Sequence, residues 1–486
     1  MSDETPLGVV LQRLAQTAPG RAAITCDGIT RTRADLDART NRLARAYAAL
    51  GVARDSLVTI GLPNGIEFYE ATIAAWKLGA TPQPISSRLP AAERRAIVEL
   101  ADPSLVVGVA PGETPGRTTV AAGFEPDPAL SADALAPAMA ASWKAPTSGG
   151  STGRPKLIVA TQAAAWEPIE GFATLLRIPR DGVHLVSGPL YHNGPFTTSL
   201  LALLRGNHLV VMPRFDALGA LELIARHRVD WMYAVPTMMH RIWRLPEAER
   251  ARYDVSSLAC VFHMAAPCPP WLKQAWIDWL GGEVILELYG GTEAQAITVI
   301  TGGEWLEHRG SVGRAILGEM LVLDPAGKEL APGEVGEIWM RRGPDAAASY
   351  RYLGATPKSR PGGWESLGDM GWRDRDGYVY LSDRDTDMIL VGGANVYPAE
   401  IEAALDEHPR IVSSCVIGLP DEEYGNRVHA IVQAAAPLTP EELETFLAGR
   451  LVRYKRPRTY EFVAEPLRGD DGKVRRSALR AARLER

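Results

Sequence analysis

Cysteine is scarce in this chain, and what little there is does not pair. Cys26, Cys260, Cys268 and Cys415 are the only four in 486 residues, with no C-x-x-C among them. Such scattering excludes a disulfide framework and a zinc-ribbon type of site, and reads as reduced, buried thiols. A basic excess is also missing. Lys and Arg number 52 against 58 Asp and Glu, a formal net charge of −6, so no positive face is offered to nucleic-acid phosphates. Apolar runs are short: none approaches the ~20 residues of a membrane span. The Met1-Ser2-Asp3-Glu4-Thr5 start is acidic where a signal peptide is basic and then apolar, so the expected compartment is the cytoplasm. With hydrophobic residues at 46% and charged residues at 23%, a core of ordinary size can be buried.

What is present alternates between helix and strand. Residues 32–50 carry Leu36, Leu43, Tyr47 and Leu50 at helical spacing, with Thr32 as N-cap and Gly51 as stop. Leu57-Val58-Thr59-Ile60 reads as a strand, 66–78 as a helix stopped by Gly79, 91–100 as another helix, and Leu105-Val106-Val107 as a buried strand. This order predicts α/β architecture, a large N-terminal domain of doubly wound sheets with helices on both faces. Residues 111–142, rich in Ala, Pro, Gly and Asp, read as a surface excursion. From about 310 to 382, short strands such as 335–341 and 377–381 alternate with Gly, Pro and Asp turns and predict a β-rich subdomain. The charged stretch Asp383-Arg384-Asp385-Thr386-Asp387 marks the boundary between residues 1–383 and 384–486. The last part predicts a small α+β domain: a helix from Pro398, strands at 414–417 and 428–432, and a helix at 441–451 introduced by the capping box Thr439-Pro440-Glu441-Glu442.

One loop carries chemistry. Thr147-Ser148-Gly149-Gly150-Ser151-Thr152-Gly153-Arg154-Pro155-Lys156 packs three glycines, four hydroxyls and a lysine into ten residues. Glycine lets backbone N–H groups approach a phosphate, hydroxyls donate further hydrogen bonds, and lysine supplies a compact charge. It is not a P-loop, because Arg154 and Pro155 separate Gly153 from Lys156 and the next residues favour strand, not helix. The same run matches the G-x-S-x-G elbow of serine hydrolases, with Ser151 as nucleophile, but that elbow must lead into a helix. Pro155 pushes Arg154 away from helical geometry.

The loop resembles the signature of the adenylate-forming superfamily, which includes acyl-CoA synthetases, luciferases and peptide-synthetase adenylation domains. Further elements resemble that family in order: Glu287-Leu288-Tyr289-Gly290-Gly291-Thr292-Glu293, then Leu367-Gly368-Asp369-Met370-Gly371, then Asp383-Arg384 through Gly392-Gly393 to Pro398-Ala399-Glu400-Ile401-Glu402, and finally Gly472-Lys473. These cover almost the whole chain. The resemblance implies a ligase that joins a carboxylic acid to the α-phosphate of ATP, releases pyrophosphate, and passes the acyl group to coenzyme A. It implies that Thr147, Ser148, Ser151, Thr152 and Lys156 hold the β- and γ-phosphates along the glycine-rich loop, that Glu293 holds Mg²⁺, and that Thr292 touches the α-phosphate. Asp369 and Arg384 would bind the ribose hydroxyls, and Lys473 would reach the α-phosphate and the attacking carboxylate from the small domain.

The same resemblance places the acid pocket and the thiol tunnel. Within Pro189-Leu190-Tyr191-His192-Asn193-Gly194-Pro195-Phe196, His192 would face the carboxylate and Phe196 the apolar interior. Val235, Met238, Met264, Ala265, Ala266 and Pro267 lie in two segments that resemble the walls of pocket and adenine site, with Gly290 and Gly291 beside them. Methionine suits a bulky, irregular apolar acid. The small domain would swing after adenylation, bringing Gly392-Gly393 against the pantetheine arm. The sequence departs from the family at Thr386, where the hinge Lys or Asp usually stands, at Leu390, where a lysine is common, and at Asp470-Asp471, which add carboxylates near Lys473. These departures bear on the thiol step, and an amine or a carrier-protein thiol stays open as acceptor. The oligomeric state is open too, a homodimer being one expectation.

Overall fold

The computed structural model describes residues 4–149, 155–384, 387–391, 394–469 and 472–484. Thr32 caps the Arg33–Ala49 helix through a reciprocal box with Asp35, as its spacing predicts. The Ile66–Lys77 helix is buried along nearly its whole length, so it runs through the core as an internal element instead of lying on the surface.

Nine strands form the main sheet, in the order Arg314–Leu317, Ile297–Thr301, Ile285–Gly290, Cys260–His263, Trp231–Ala234, Val183–Val186, His208–Val211, Ala22–Cys26, Ile29–Thr32. From Ile285–Gly290 to Ala22–Cys26 every pairing is parallel, and the outer pairs are antiparallel. A second sheet, Thr81–Pro84, Leu57–Ile60, Leu105–Val107, Thr119–Val120, is parallel throughout. Its last strand comes from within the 111–142 excursion, which therefore also contributes to the fold. Parallel strands buried on both faces explain the short runs of Val, Ile and Leu. Two clusters of buried side chains flank the main sheet: Trp231, Phe262 and Phe196 belong to one, Met232, Trp276 and Trp305 to the other.

The β-rich part is antiparallel: Glu319–Leu323, Gly336–Arg341, Trp364–Arg373 and Lys358–Arg360, with Val379–Arg384 also paired to Trp364–Arg373. A three-stranded sheet joins Thr147–Gly149, Pro155–Ala160 and Tyr350–Leu353. Near the C-terminus the hairpin Ile411–Asp421 with Gly425–Ala434 takes Thr459–Val463 as a third, parallel strand. The Pro398–Asp406 and Pro440–Ala448 helices pack on it over a core of their own, built from Ile401, Leu405, Val416, Val432 and Leu443. The capping box at Thr439 and Glu442 is present, but the helix ends at Ala448, before Gly449, and not at 451.

Candidate active site

In open parallel sheets, ligands bind outside the carboxyl ends of the strands. Four neighbouring strands here end on segments singled out in the sequence. Val186 leads into the Pro189–Phe196 segment, Ala234 into Val235-Pro236-Thr237, His263 into Met264-Ala265-Ala266-Pro267, and Gly290 into Gly291-Thr292-Glu293. His192 is the N-cap of the Asn193–Leu204 helix and Val235 that of the Pro236–Trp243 helix, so both helices begin at this edge. Ala265 sits at φ +77 and Ala294 at φ +54, conformations that cost an L-residue about 1 kcal/mol and often mark functional turns.

The strand that follows the glycine-rich loop meets the strand ends through a three-residue cluster. Lys156 Nζ lies 3.2 Å from Glu293 Oε1 and donates to the Tyr352 hydroxyl at 2.9 Å. That hydroxyl donates to the same Glu293 oxygen at 2.5 Å, and the ammonium also sits 4.1 Å from the Tyr352 ring centre. Burial and the Glu293 carboxylate push the Tyr352 hydroxyl well above the usual phenol range, so it stays a donor. The strand carrying Thr147 is tethered from behind: Gln83, fully buried, accepts from Thr59 and donates to Thr147 Oγ1, both at 2.6 Å. Gly150, Ser151, Thr152 and Gly153 lie outside the described residues. The next described element is the Pro155–Ala160 strand, and a strand there removes the helix that a Ser151 nucleophile elbow requires.

A second cluster is built on the strand that leads into Glu293. The Tyr289 hydroxyl donates to Asp369 Oδ2 at 2.9 Å. Asp369 stands directly opposite Arg384 in the antiparallel pairing of Trp364–Arg373 with Val379–Arg384, so the two residues expected at the ribose share one position of one hairpin. Behind Tyr289, Glu287 is buried and ion-paired to Lys273, which is itself fully buried. His263 Nδ1 lies 3.9 Å from the other Glu287 oxygen, and burial holds its imidazole down at about 4. A buried pair of this kind fixes geometry more than it adds stability, and here it anchors the strand ends under Ala265 and Tyr289.

The residues expected around the acid divide. Phe196 is fully buried with its ring edge against Phe68 at 6.1 Å, and Val235 and Met238 are likewise drawn into the core. Met264 is only half-buried. From the other direction, Gly472 of the C-terminal segment reaches the same strand end. A Cβ on Gly472 would lie 2.6 Å from Thr237 Oγ1 and 3.1 Å from Val235 Cγ2, and its φ is +75. Lys473 is therefore the immediate neighbour of a residue seated on the acid-side edge. Its segment is pinned on both sides: Arg468 donates to Ser413, Ser414 and the Gly472 carbonyl, and Arg476 pairs with Asp387 and Glu402. Gly392, Gly393 and Thr386 lie outside the described residues.

Sequence reasoning missed Tyr352, Gln83 and the Lys273–Glu287 pair. Tyr350-Arg351-Tyr352-Leu353 alternates as a strand does, and that is its only signal. Gln83 and Lys273 have none, since their partners are distant in sequence and meet only through the sheets. Among the described residues, no three His, Cys, Asp or Glu gather as a metal cage. A divalent cation held by one buried carboxylate and by phosphate oxygens suits Mg²⁺, and Glu293 beside Lys156 fits that donor set. No helix among the described residues is long and apolar enough to cross a membrane.

Comparison with known proteins identifies the family. The family model for the AMP-binding enzyme matches residues 11–351, and that for the AMP-binding enzyme C-terminal domain matches 400–469. The chain belongs to the AMP-binding enzymes, the adenylate-forming superfamily that its motifs resemble. It is 30% identical to the long-chain-fatty-acid–CoA ligase FadD13 of Mycobacterium tuberculosis, over 98% of both chains. It is 31% identical to the sulfoacetate–CoA ligase of Cupriavidus necator, over 90% of this chain and 89% of the other. Its fold matches o-succinylbenzoate CoA synthetase of Bacillus subtilis, solved with an acyl-adenylate intermediate, with a TM-score of 0.81, 26% identity and 98% of each chain covered.

Proposed function

We propose that this chain is an AMP-forming acid–thiol ligase that activates a hydrophobic carboxylic acid with Mg-ATP and transfers the acyl group to coenzyme A. The observation that carries the reading is the convergence on one sheet edge of the Lys156–Glu293 pair, the Tyr289–Asp369 hydrogen bond and Gly472-Lys473. Attack of a carboxylate on a phosphate joins two anions, so fixed positive charge where the negative charge gathers is the main requirement.

Each residue then has a task. Thr147, Ser148, Ser151, Thr152 and Lys156 hold the terminal phosphates, and Lys156 turns from Glu293 toward them. Glu293 is freed to hold Mg²⁺, which when bound neutralises phosphate charge. Thr292 steadies the α-phosphate, Asp369 and Arg384 the ribose, and Tyr289 with the 264–267 turn the adenine. His192 orients the acid from the helix N-terminus, where partial positive charge favours a carboxylate. Lys473 neutralises the charge developing between acid and α-phosphate. Residues 384–486 then swing and place Gly392-Gly393 at the thiol.

The apolar character of Met264, and of Val235 and Met238 behind it, supports a hydrophobic acid. The acceptor has a second reading. Leu390 is 49% exposed on the strand just before Gly392-Gly393, where a lysine is common in the family, and a leucine offers nothing to the phosphates of coenzyme A. That favours a neutral amine, or a carrier-protein thiol, as the alternative acceptor. Mass spectrometry of products from enzyme, Mg-ATP and a panel of fatty, aryl and steroid acids, run with coenzyme A, with a simple amine and with neither, decides between them. Acyl-CoA with AMP supports the proposal, amide with AMP supports the second reading, and no AMP from any acid removes both.

A further inference from the structure

The Pro236–Trp243 helix touches the C-terminal part of the chain at both of its ends. At its start, Thr237 and Val235 abut Gly472. At its end stands Arg244, its C-cap. Arg244 Nε donates to His240 Nε2 at 3.0 Å. Its other nitrogens reach across: Nη2 donates to the carbonyls of Asp406 (3.1 Å) and His408 (3.2 Å), and Nη1 to that of Pro409 (3.3 Å). Asp406 closes the Pro398–Asp406 helix. Carbonyls at such an end lack intrahelical donors and carry the negative end of the helix dipole. A planar guanidinium can serve several of them at once, which an ammonium cannot match.

The surroundings keep that guanidinium aimed. Its centre lies 5.5 Å from the Trp271 ring, and His240 stands edge-on to the same ring at 5.5 Å. Burial, with Arg244, Arg468 and Arg241 nearby, holds the His240 imidazole down at about 4. It is therefore neutral near pH 7 and accepts from Arg244 instead of repelling it. Arg468 belongs to the segment that carries Lys473, so both ends of the contact bear on the same lysine.

We infer that Arg244 is a positioning residue for the adenylate-forming half-reaction: by clasping the C-terminal end of the Pro398–Asp406 helix it holds Gly472-Lys473 on the acid-side edge. The inference rests on the proposed role of Lys473 and on the swing of residues 384–486. Once they swing, the three carbonyls leave Arg244, which has no part in acyl transfer. A contact made in one arrangement only shifts the population toward that arrangement by its own differential energy.

The test compares wild type, Arg244→Ala and Arg244→Lys as full-length chains. Pyrophosphate release in a single turnover, with the acid that the panel identifies, reads the first half-reaction. AMP release from the synthetic acyl-adenylate of that acid, supplied with the acceptor the panel identifies, reads the second. Hydrogen exchange over residues 236–245 and 398–410, in Mg-ATP alone, reads the seam. Arg244→Ala is expected to slow the first step about fivefold, as for a partly exposed charge at a helix end, with the second step not slowed and exchange faster at both segments. Arg244→Lys should recover part of the loss. Equal slowing of both steps, or an unchanged first step, overturns the inference. If wild type yields no AMP with any acid, the functional reading falls, and unchanged exchange in Arg244→Ala overturns the clasp independently.

Discussion

Gly472 lies so close to Thr237 that a single added methyl carbon would come within 2.6 Å of the threonine hydroxyl. The contact joins the segment just before Lys473 to the strand end on the acid side. Gly472→Ala is expected to hinder this seating through both the collision and the positive φ of +75. Adenylate formation should fall roughly tenfold, with transfer from a supplied acyl-adenylate spared. Single-turnover kinetics of the two halves check this, and Thr237→Ala in the Gly472→Ala background should restore part of the first.

Lys473→Ala tests the charge itself. With Lys473 in its proposed role at the developing charge, its removal should slow adenylation about 100-fold or more, while the second half-reaction proceeds. Equal loss in both halves would take Lys473 out of the adenylation site.

Glu293→Gln keeps the hydrogen bonds from Lys156 and Tyr352 nearly in place but removes the carboxylate charge. The Mg²⁺ concentration needed for half-maximal adenylation should rise about tenfold or more, and an unshifted magnesium titration would remove Glu293 from the metal site. Tyr352→Phe, which deletes only the hydroxyl between the two, should cost about fivefold, near 1 kcal/mol.

Tyr289→Phe removes the 2.9 Å bond to Asp369, the residue proposed to hold the ribose. It should raise the KM for ATP about fivefold with little change in kcat. Equal effects on both parameters would argue that the bond serves the chemical step instead.

Acid lability is expected from His184. It is fully buried, stacked on Trp231 at 4.4 Å, and neither ring nitrogen has a hydrogen-bond partner among the described residues. Burial holds its imidazole at about 3, below the ordinary 6.5. The unfolded chain therefore binds more protons, and stability is lost as pH falls from 6.5 toward 3. His184→Phe should flatten this slope by on the order of 2–4 kcal/mol at pH 4, read by denaturant unfolding at pH 7 and pH 4.

Much of this fold is written in local signals. Thr32 with Asp35 and Thr439 with Glu442 are capping boxes within four residues, and Leu157-Ile158-Val159 announces the strand that rules out a nucleophile elbow. The site motifs are also local, because glycine-rich turns must keep their residues adjacent. The missed parts depend on contacts between elements. Tyr352 meets Lys156 only because Tyr350–Leu353 pairs with Pro155–Ala160. Lys273 meets Glu287 because a helix lies over a strand. The partner of Phe196, which its motif places toward an apolar interior, is Phe68, 128 positions away, and helical spacing cannot reveal that contact. Thr119–Val120 extends a parallel sheet from a stretch whose composition reads as loop.

In the proposed reaction the acid attacks the α-phosphate of ATP. The most direct test of this attack is a turnover with the acid labelled with ¹⁸O in its carboxylate, and mass spectrometry of the phosphate products. An acyl-adenylate leaves one labelled oxygen in AMP once the acceptor has taken the acyl group, with pyrophosphate unlabelled, and that is the result expected. Label in inorganic phosphate with ADP as the other product, or no label in any phosphate, would contradict the account.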